Sequence, residues 1–103
     1  MTKVLITERC REEDLPRLPK KMLSGLIRKL ELLADDPGYG KPLHGELKGY
    51  NSLRLGRYRI IYRYDQQADV IWIIAAGLRK ESSKQDIYEK LARLLRSGKI
   101  ELE

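Results

Sequence analysis

Between residues 52 and 78 the chain carries three strand-like runs with very little between them: Ser52–Leu55, Tyr58–Tyr64 and Val70–Leu78. Gly56 marks the first turn and Asp65-Gln66-Gln67-Ala68-Asp69 the second. A parallel return needs a crossover of a dozen residues or so, which neither turn can supply, so the three runs must pair antiparallel. Everything else in the chain has to be arranged around that sheet.

The flanking segments read as its cover. Val4-Leu5-Ile6 is too short an apolar run for a helix and predicts an edge strand. Thr7 can cap a helix starting at Glu8, with Glu12, Glu13 and Asp14 after it, and Pro16 ends or kinks that helix. Pro19 can open a second helix. In it Met22, Leu23, Leu26, Ile27, Leu30 and Leu33 recur at helical spacing and make one apolar stripe, read as core. Lys20, Lys21, Arg28, Lys29 and Glu31 form its polar face, and Asp35-Asp36-Pro37-Gly38 stops it. The stretch 41–50 holds Pro42, Gly45 and Gly49 and reads as a loop. A last helix is predicted over about Gln85 to Arg96, with Ile87, Leu91, Leu94 and Leu95 on one side and Gly98 as its stop. The order β-α-α-β-β-β-α places the chain in the α+β class, and 103 residues leave room for one domain, spanning 1–103.

A chain of this size can build a core without metal or disulfide. The single cysteine, Cys10, excludes an internal disulfide and reads as a packed side chain. No apolar run approaches the roughly 20 residues of a membrane span, and no leader is visible, so a cytoplasmic location is expected. The only histidine, His44, has just Glu46 beside it, which is too little for a metal site. No phosphate-binding glycine loop, nucleophile elbow or Cys/His cluster is present, and neither metal nor cofactor is expected.

The net charge of +6 is concentrated. Residues 1–40 are nearly balanced, whereas Lys41, Lys48, Arg54, Arg57, Arg59 and Arg63 face a single acid, Glu46, within 41–63. Such a patch points to a polyanion, nucleic acid before membrane. Strand alternation sorts these side chains. Tyr58, Ile60, Tyr62 and Tyr64 share one face of the middle strand, and Arg59, Ile61 and Arg63 the other. Leu53 and Leu55 oppose Ser52 and Arg54 in the strand before. The helical pair needs the Leu53, Leu55, Ile60 face, so Arg54, Arg59 and Arg63 stand on the opposite one, provided that no bulge near Gly56 reverses the order. Val70–Ile74 is apolar on both faces and suits a central strand. Arg79 leaves that strand's end beside Lys80, and Tyr88 lies on the last helix. Arg54, Arg59, Arg79 and Tyr88 on a concave face would suit a phosphodiester, because guanidinium forks match phosphate oxygens in pairs. The bland alternative is a solvated basic face. Tyr62, Tyr64 and Trp72 read as core or half-buried sheet residues.

In order along the chain, "EEDLPRLP", "KLELLADDP", "KPLHGELKGYNSLRLGRYRIIYRYD" and "IIAAGLRKESSKQDIYEKLARLL" resemble the RelE/ParE toxin superfamily over nearly the whole length. The resemblance implies a helical hairpin on a curved antiparallel sheet and a cognate antitoxin that neutralises the toxin. In the nuclease branch it further implies entry into the ribosome and metal-free mRNA cleavage through the 2′-hydroxyl. By position, Arg59 matches the family's sheet arginine, Arg79 the arginine after the last strand, Tyr88 the helix tyrosine and Arg54 a basic residue on the preceding strand. Lys41, Lys48, Arg57, Arg63 and Lys80 are the further RNA-binding candidates. There are departures. Ser52 stands where the nuclease type-member carries a second lysine, Lys41 stands where a related branch has a glutamate base, and that branch's terminal histidine is missing. Arginine is a poor base, which leaves Tyr88, Glu46 and His44 for the proton, with Tyr88 preferred. The alternative within the superfamily is the ParE branch, which shares the fold and poisons DNA gyrase by binding. A third reading is a basic RNA-binding module without activity.

Overall fold

The computed structural model describes residues 2–100; the ends of the 1–103 span, Met1 and 101–103, lie outside the described residues. The five-stranded sheet has the order β1-β5-β4-β3-β2. Its strands are β1 (Lys3–Ile6), β2 (Lys41–Pro42), β3 (Asn51–Leu55), β4 (Tyr58–Asp65) and β5 (Val70–Leu78). The three long strands pair antiparallel, as their short turns require. β1 is an edge strand but joins β5 in parallel, Lys3 opposite Val70 and Ile6 opposite Ile73. The helical pair carries the chain from β1 to β2 at the far edge of the sheet, and the β2–β3–β4–β5 meander then brings β5 back beside β1 in the same direction. The 41–50 stretch, read as a loop, contributes the short outer strand β2 and a 3-10 turn, Gly45–Leu47. Pro42 is tolerated there because an edge strand has a side that needs no donor.

Helix formation follows the sequence signals, with local distortions. The Thr7 hydroxyl accepts from Cys10 N at 3.4 Å and caps the first segment. That segment widens into a π-helical turn over Cys10–Asp14 and tightens to a 3-10 turn over Leu15–Arg17, where Pro16 ends it. After Pro19, a 3-10 turn (Lys20–Met22) leads into α1 (Leu23–Asp35). The last helix, α2 (Ile87–Arg96), starts two residues later than expected, because the Asp86 carboxylate caps it by accepting from Tyr88 N at 3.1 Å. At its other end Lys99 N donates to Leu94 O and Gly98 N to Leu95 O, with Gly98 at φ +69°, the paired closure that glycine permits.

Two cores result, one on each face of the sheet. Leu26 and Leu33 of α1 pack with Cys10, Leu53, Leu55, Ile60, Tyr62, Ile71 and Ile73. Ile87 and Leu91 of α2 pack with Ile61, Ile74 and Ala75 on the other side, and Trp72 and Tyr88 border them. The stripe on α1 is narrower than its sequence predicts: Leu23 and Ile27 remain 41% and 60% exposed. Each lies one residue along from a residue of the sheet-facing row Met22–Leu26–Leu30–Leu33, and so about 100° around the helix. Leu53, Leu55, Ile60 and Tyr62 face α1, as alternation predicts. A bulge does exist, but in β5 rather than near Gly56: Ile61 opposes Ala75 and Tyr62 opposes Ile73, so Ile74 is the extra residue. It turns Ile74 and Ala75 to the same side and leaves the β3–β4 faces as predicted.

Candidate functional site

Arg54, Arg59, Ile61 and Ser52 lie on the face that α2 covers, so that face is not bare. Ile87 and Leu91 cover its middle, and Gly77 makes room: a Cβ there would stand 3.1 Å from Ile87 Cδ1. The arginines occupy the uncovered end, toward the β3–β4 turn. Arg54 is directly opposite Arg59, and Arg59 is opposite Gly77, two residues before Arg79. Two like charges face to face across a ladder are unfavourable unless solvent or an anion lies over them. Arg54 is exposed and Arg59 partly buried. Arg59 Nη1 donates to Gly56 O at 3.1 Å and to Tyr58 O at 2.9 Å, which orients its fork on the turn.

Arg79 is held from three directions. Its backbone N donates to Arg57 O at 2.9 Å, its Nη1 donates to Asp86 Oδ1 at 2.7 Å, and its guanidinium carbon lies 4.7 Å from the centre of the Tyr88 ring. The last contact is a cation–π stack. Asp86 is buried and also accepts from Lys80 N at 2.5 Å. Burial works to raise its pKa, but the Arg79 fork and the two backbone donors outweigh it and hold the carboxyl below its ordinary value. One carboxylate therefore caps α2 and fixes Arg79. The Tyr88 hydroxyl donates to Ser52 Oγ at 2.9 Å, so Ser52 anchors the tyrosine over β3.

The structure thus gathers Arg54, Arg59, Arg79, Tyr88 and Ser52 at one end of the sheet. Around them lie Arg57 in the β3–β4 turn and Lys80 after β5, whose Nζ reaches Gln85 Oε1 at 3.5 Å. Lys41 lies on the open edge as the partner of Ser52. Arg63 and Lys48 are not part of this group. Arg63 is four residues further along β4, about 13 Å from Arg59, and Lys48 follows the 3-10 turn beyond the opposite end of β3. Among the proposed bases, Glu46 is tied to Arg96, with Oε1 2.7 Å from Nη2, and His44 is exposed in the β2–β3 loop. Only Tyr88 stands among the arginines. Among the described residues, no group of three or more His, Cys, Asp or Glu side chains converges as metal ligands would. The buried Cys10 thiol is pushed up to about 12, chiefly by burial and then by Asp14, which keeps it unreactive. Sequence reasoning missed Asp86, although an aspartate directly before an apolar helical run is a cap signal. It also missed the role of Ser52, for which no local signal exists.

A helical pair and a C-terminal helix on opposite faces of a five-stranded sheet define the RelE toxin fold. The isolated RelE toxin of Escherichia coli superposes with a TM-score of 0.66 at 18% identity, over 92% of this chain and 99% of that one. The toxin–antitoxin complex RelBE2 of Mycobacterium tuberculosis contains a chain 34% identical, with a TM-score of 0.68, over 76% of this chain and 91% of that one. Toxin RelE of the same organism is 33% identical over 75 residues, 71% of this chain and 77% of that protein. The family model described as the ParE toxin of type II toxin-antitoxin systems, parDE, matches residues 6–83. The chain belongs to the RelE/ParE family of type II toxin–antitoxin toxins. The matched segment ends before α2, so the tyrosine and its tethers lie beyond it.

Proposed function

We propose that this toxin is a ribosome-dependent mRNA endonuclease that cleaves through the 2′-hydroxyl without metal, and that a cognate antitoxin protein holds it in check. The observation that carries the reading is the Arg54–Arg59 pair beside an Arg79 already oriented by Asp86 and stacked on Tyr88. An in-line attack of the 2′-oxygen on the adjacent phosphorus passes through a pentavalent phosphorane; the P–O5′ bond breaks, the departing 5′-oxygen takes a proton from water, and a 2′,3′-cyclic phosphate and a 5′-hydroxyl remain. The arginines supply positive charge where negative charge develops. Tyr88, as its phenolate, is our candidate to take the 2′-hydroxyl proton. Its hydrogen bond to Ser52 fixes where its oxygen sits. A phenol is a weak base, so much of the acceleration must come from alignment, which can contribute roughly 7–11 kcal/mol. The ribosome provides that alignment in this reading. The antitoxin assignment is supported by the relative from M. tuberculosis, solved as a toxin–antitoxin complex.

The test is incubation of purified toxin with mRNA-programmed ribosomes and with the same RNA free in solution. Cleavage mapped by primer extension should need the ribosome, and rapid cutting of the naked RNA would contradict the reading. The gyrase-binding alternative draws support from the family model matched and from Ser52 in the lysine position. Pulse labelling separates the two: early loss of protein synthesis favours mRNA cleavage, and early loss of DNA synthesis with an SOS response favours gyrase.

A further inference from the structure

Among the described residues, Asp14 is the one fully enclosed carboxylate that the proposed chemistry does not use; its side chain has no exposed surface. It sits where β1 ends and the edge of β5 would otherwise be open. Asp14 Oδ2 accepts from Ala76 N at 3.1 Å, and Arg9 Nη2 donates to Ile74 O at 3.0 Å and to Asp14 Oδ2 at 2.6 Å. Two side chains of the π-helical region thus take the place of a strand partner beside the bulge. The other oxygen, Oδ1, accepts from Lys90 Nζ at 2.5 Å and from Arg9 Nη1 at 3.2 Å. Lys90 belongs to α2, so the N-terminal segment grips the C-terminal helix around the rim of the sheet.

The placement of that grip on the helix is informative. Lys90 and Tyr88 are two residues apart and therefore about 200° apart around the axis. Between them, Ile87 and Leu91 face the sheet as the seam. Tyr88 is tied to Ser52 of β3 on one flank, and Lys90 to Asp14 beyond β5 on the other. A short helix resting on a narrow apolar seam is free to roll, and two tethers on opposite flanks remove that freedom. A roll of about 20° displaces a phenol oxygen roughly 8 Å from the axis by about 3 Å. Misplacements of about 1 Å already cost on the order of 10²-fold in rate.

From this geometry we infer that Asp14, acting through Lys90, is a positioning residue for the phosphate site: it sets the roll of α2, which places Tyr88 against Arg79. The inference about catalysis rests on the nuclease reading; the inference about roll does not. Lys90→Met removes the tether while Asp14 keeps Arg9 and Ala76 N, so the carboxylate stays partnered. In ribosome-dependent cleavage, kcat should fall roughly 10–100-fold, with KM little changed, and Lys90→Arg should restore most of it. In a Tyr88→Phe background, where the phenol is already gone, Lys90→Met should add little, whereas a merely structural role would give additive losses. An activity-independent arm uses NMR. Arg79 side-chain protons over the Tyr88 ring are shifted upfield, and Lys90→Met should move them toward unstacked values. If Lys90→Met does not fold, Lys90→Gln carries the same comparison. Unchanged ring-current shifts and unchanged kcat in the folded variant overturn the proposal. If wild-type protein does not cleave at all, the nuclease reading fails, and the NMR arm alone decides whether Asp14 sets the helix.

Discussion

Replacing Asp14 by asparagine tests the buried network directly. The carboxylate accepts four hydrogen bonds, two from Arg9, one from Lys90 and one from Ala76 N. Asparagine keeps one acceptor oxygen, enough for Ala76 N, and turns its amide nitrogen toward Arg9 and Lys90, which are also donors. Stranding charge in an enclosed pair costs about 3–5 kcal/mol. Here the side chains of Arg9 and Lys90 are 17% and 26% exposed and can partly rehydrate, which lowers the cost. A loss of about 3 kcal/mol corresponds, for a domain of this size, to a fall in Tm of roughly 12–15 °C. Thermal melts followed by circular dichroism at pH 7 measure it. The pH dependence has a definite sign. Burial works to raise the Asp14 pKa, but the bonds from Arg9, Lys90 and Ala76 outweigh it and hold the carboxyl below its ordinary value. A depressed folded-state pKa contributes stability that is present above the unfolded value and lost as pH falls through the folded one. The gap between wild type and Asp14→Asn should therefore be full at pH 5–7 and close below about pH 4. A Tm difference under about 3 °C at pH 7, or a gap that does not shrink in acid, would refute the account.

Arg59→Ala and Arg79→Ala should each abolish growth arrest by cutting the rate on the order of 10²–10³-fold, with the protein still folded by circular dichroism. Full toxicity of both variants would mean that the site lies elsewhere. Binding of single-stranded RNA through three or four phosphate contacts should show a log–log salt slope of roughly −2 to −3, read from titrations at several salt concentrations. Gly40→Ala should lower Tm by several degrees, because its Cβ would lie 2.5 Å from Tyr62 Oη and 2.9 Å from Ser52 O. That hydroxyl cannot swing aside without losing its bonds to Gly40 N and Pro37 O.

The sequence is legible where its signals act over a few residues. Thr7 caps, Pro16 stops and Gly98 closes a helix through bonds to near neighbours, and Gly56 and Asp65–Asp69 permit only hairpins. Period-two alternation placed Arg54 and Arg59 on the face away from α1, because the β5 bulge at Ile74 lies outside β3 and β4. The apolar stripe on α1 overstates the contacting face at Leu23 and Ile27, because periodicity shows which residues are apolar but not how wide the contacting face is. The covering of the arginine face by α2 was also not legible, since the same helix pattern would suit either side of the sheet.

The sequence by itself determined the hairpin order, the side of the sheet on which the residues of β3 and β4 stand, and the concentration of positive charge within 41–63. Those properties follow from turn chemistry and from alternation, which need no partner from elsewhere in the chain. Only the tertiary structure decided that β1 runs parallel to β5 and that α2 lies across the arginine face. It alone placed Tyr88 on Ser52, 36 residues away, and Lys90 on Asp14, 76 residues away. Contacts at such separations exist only once the two cores have packed and fixed the helices against the sheet, and no local pattern encodes them.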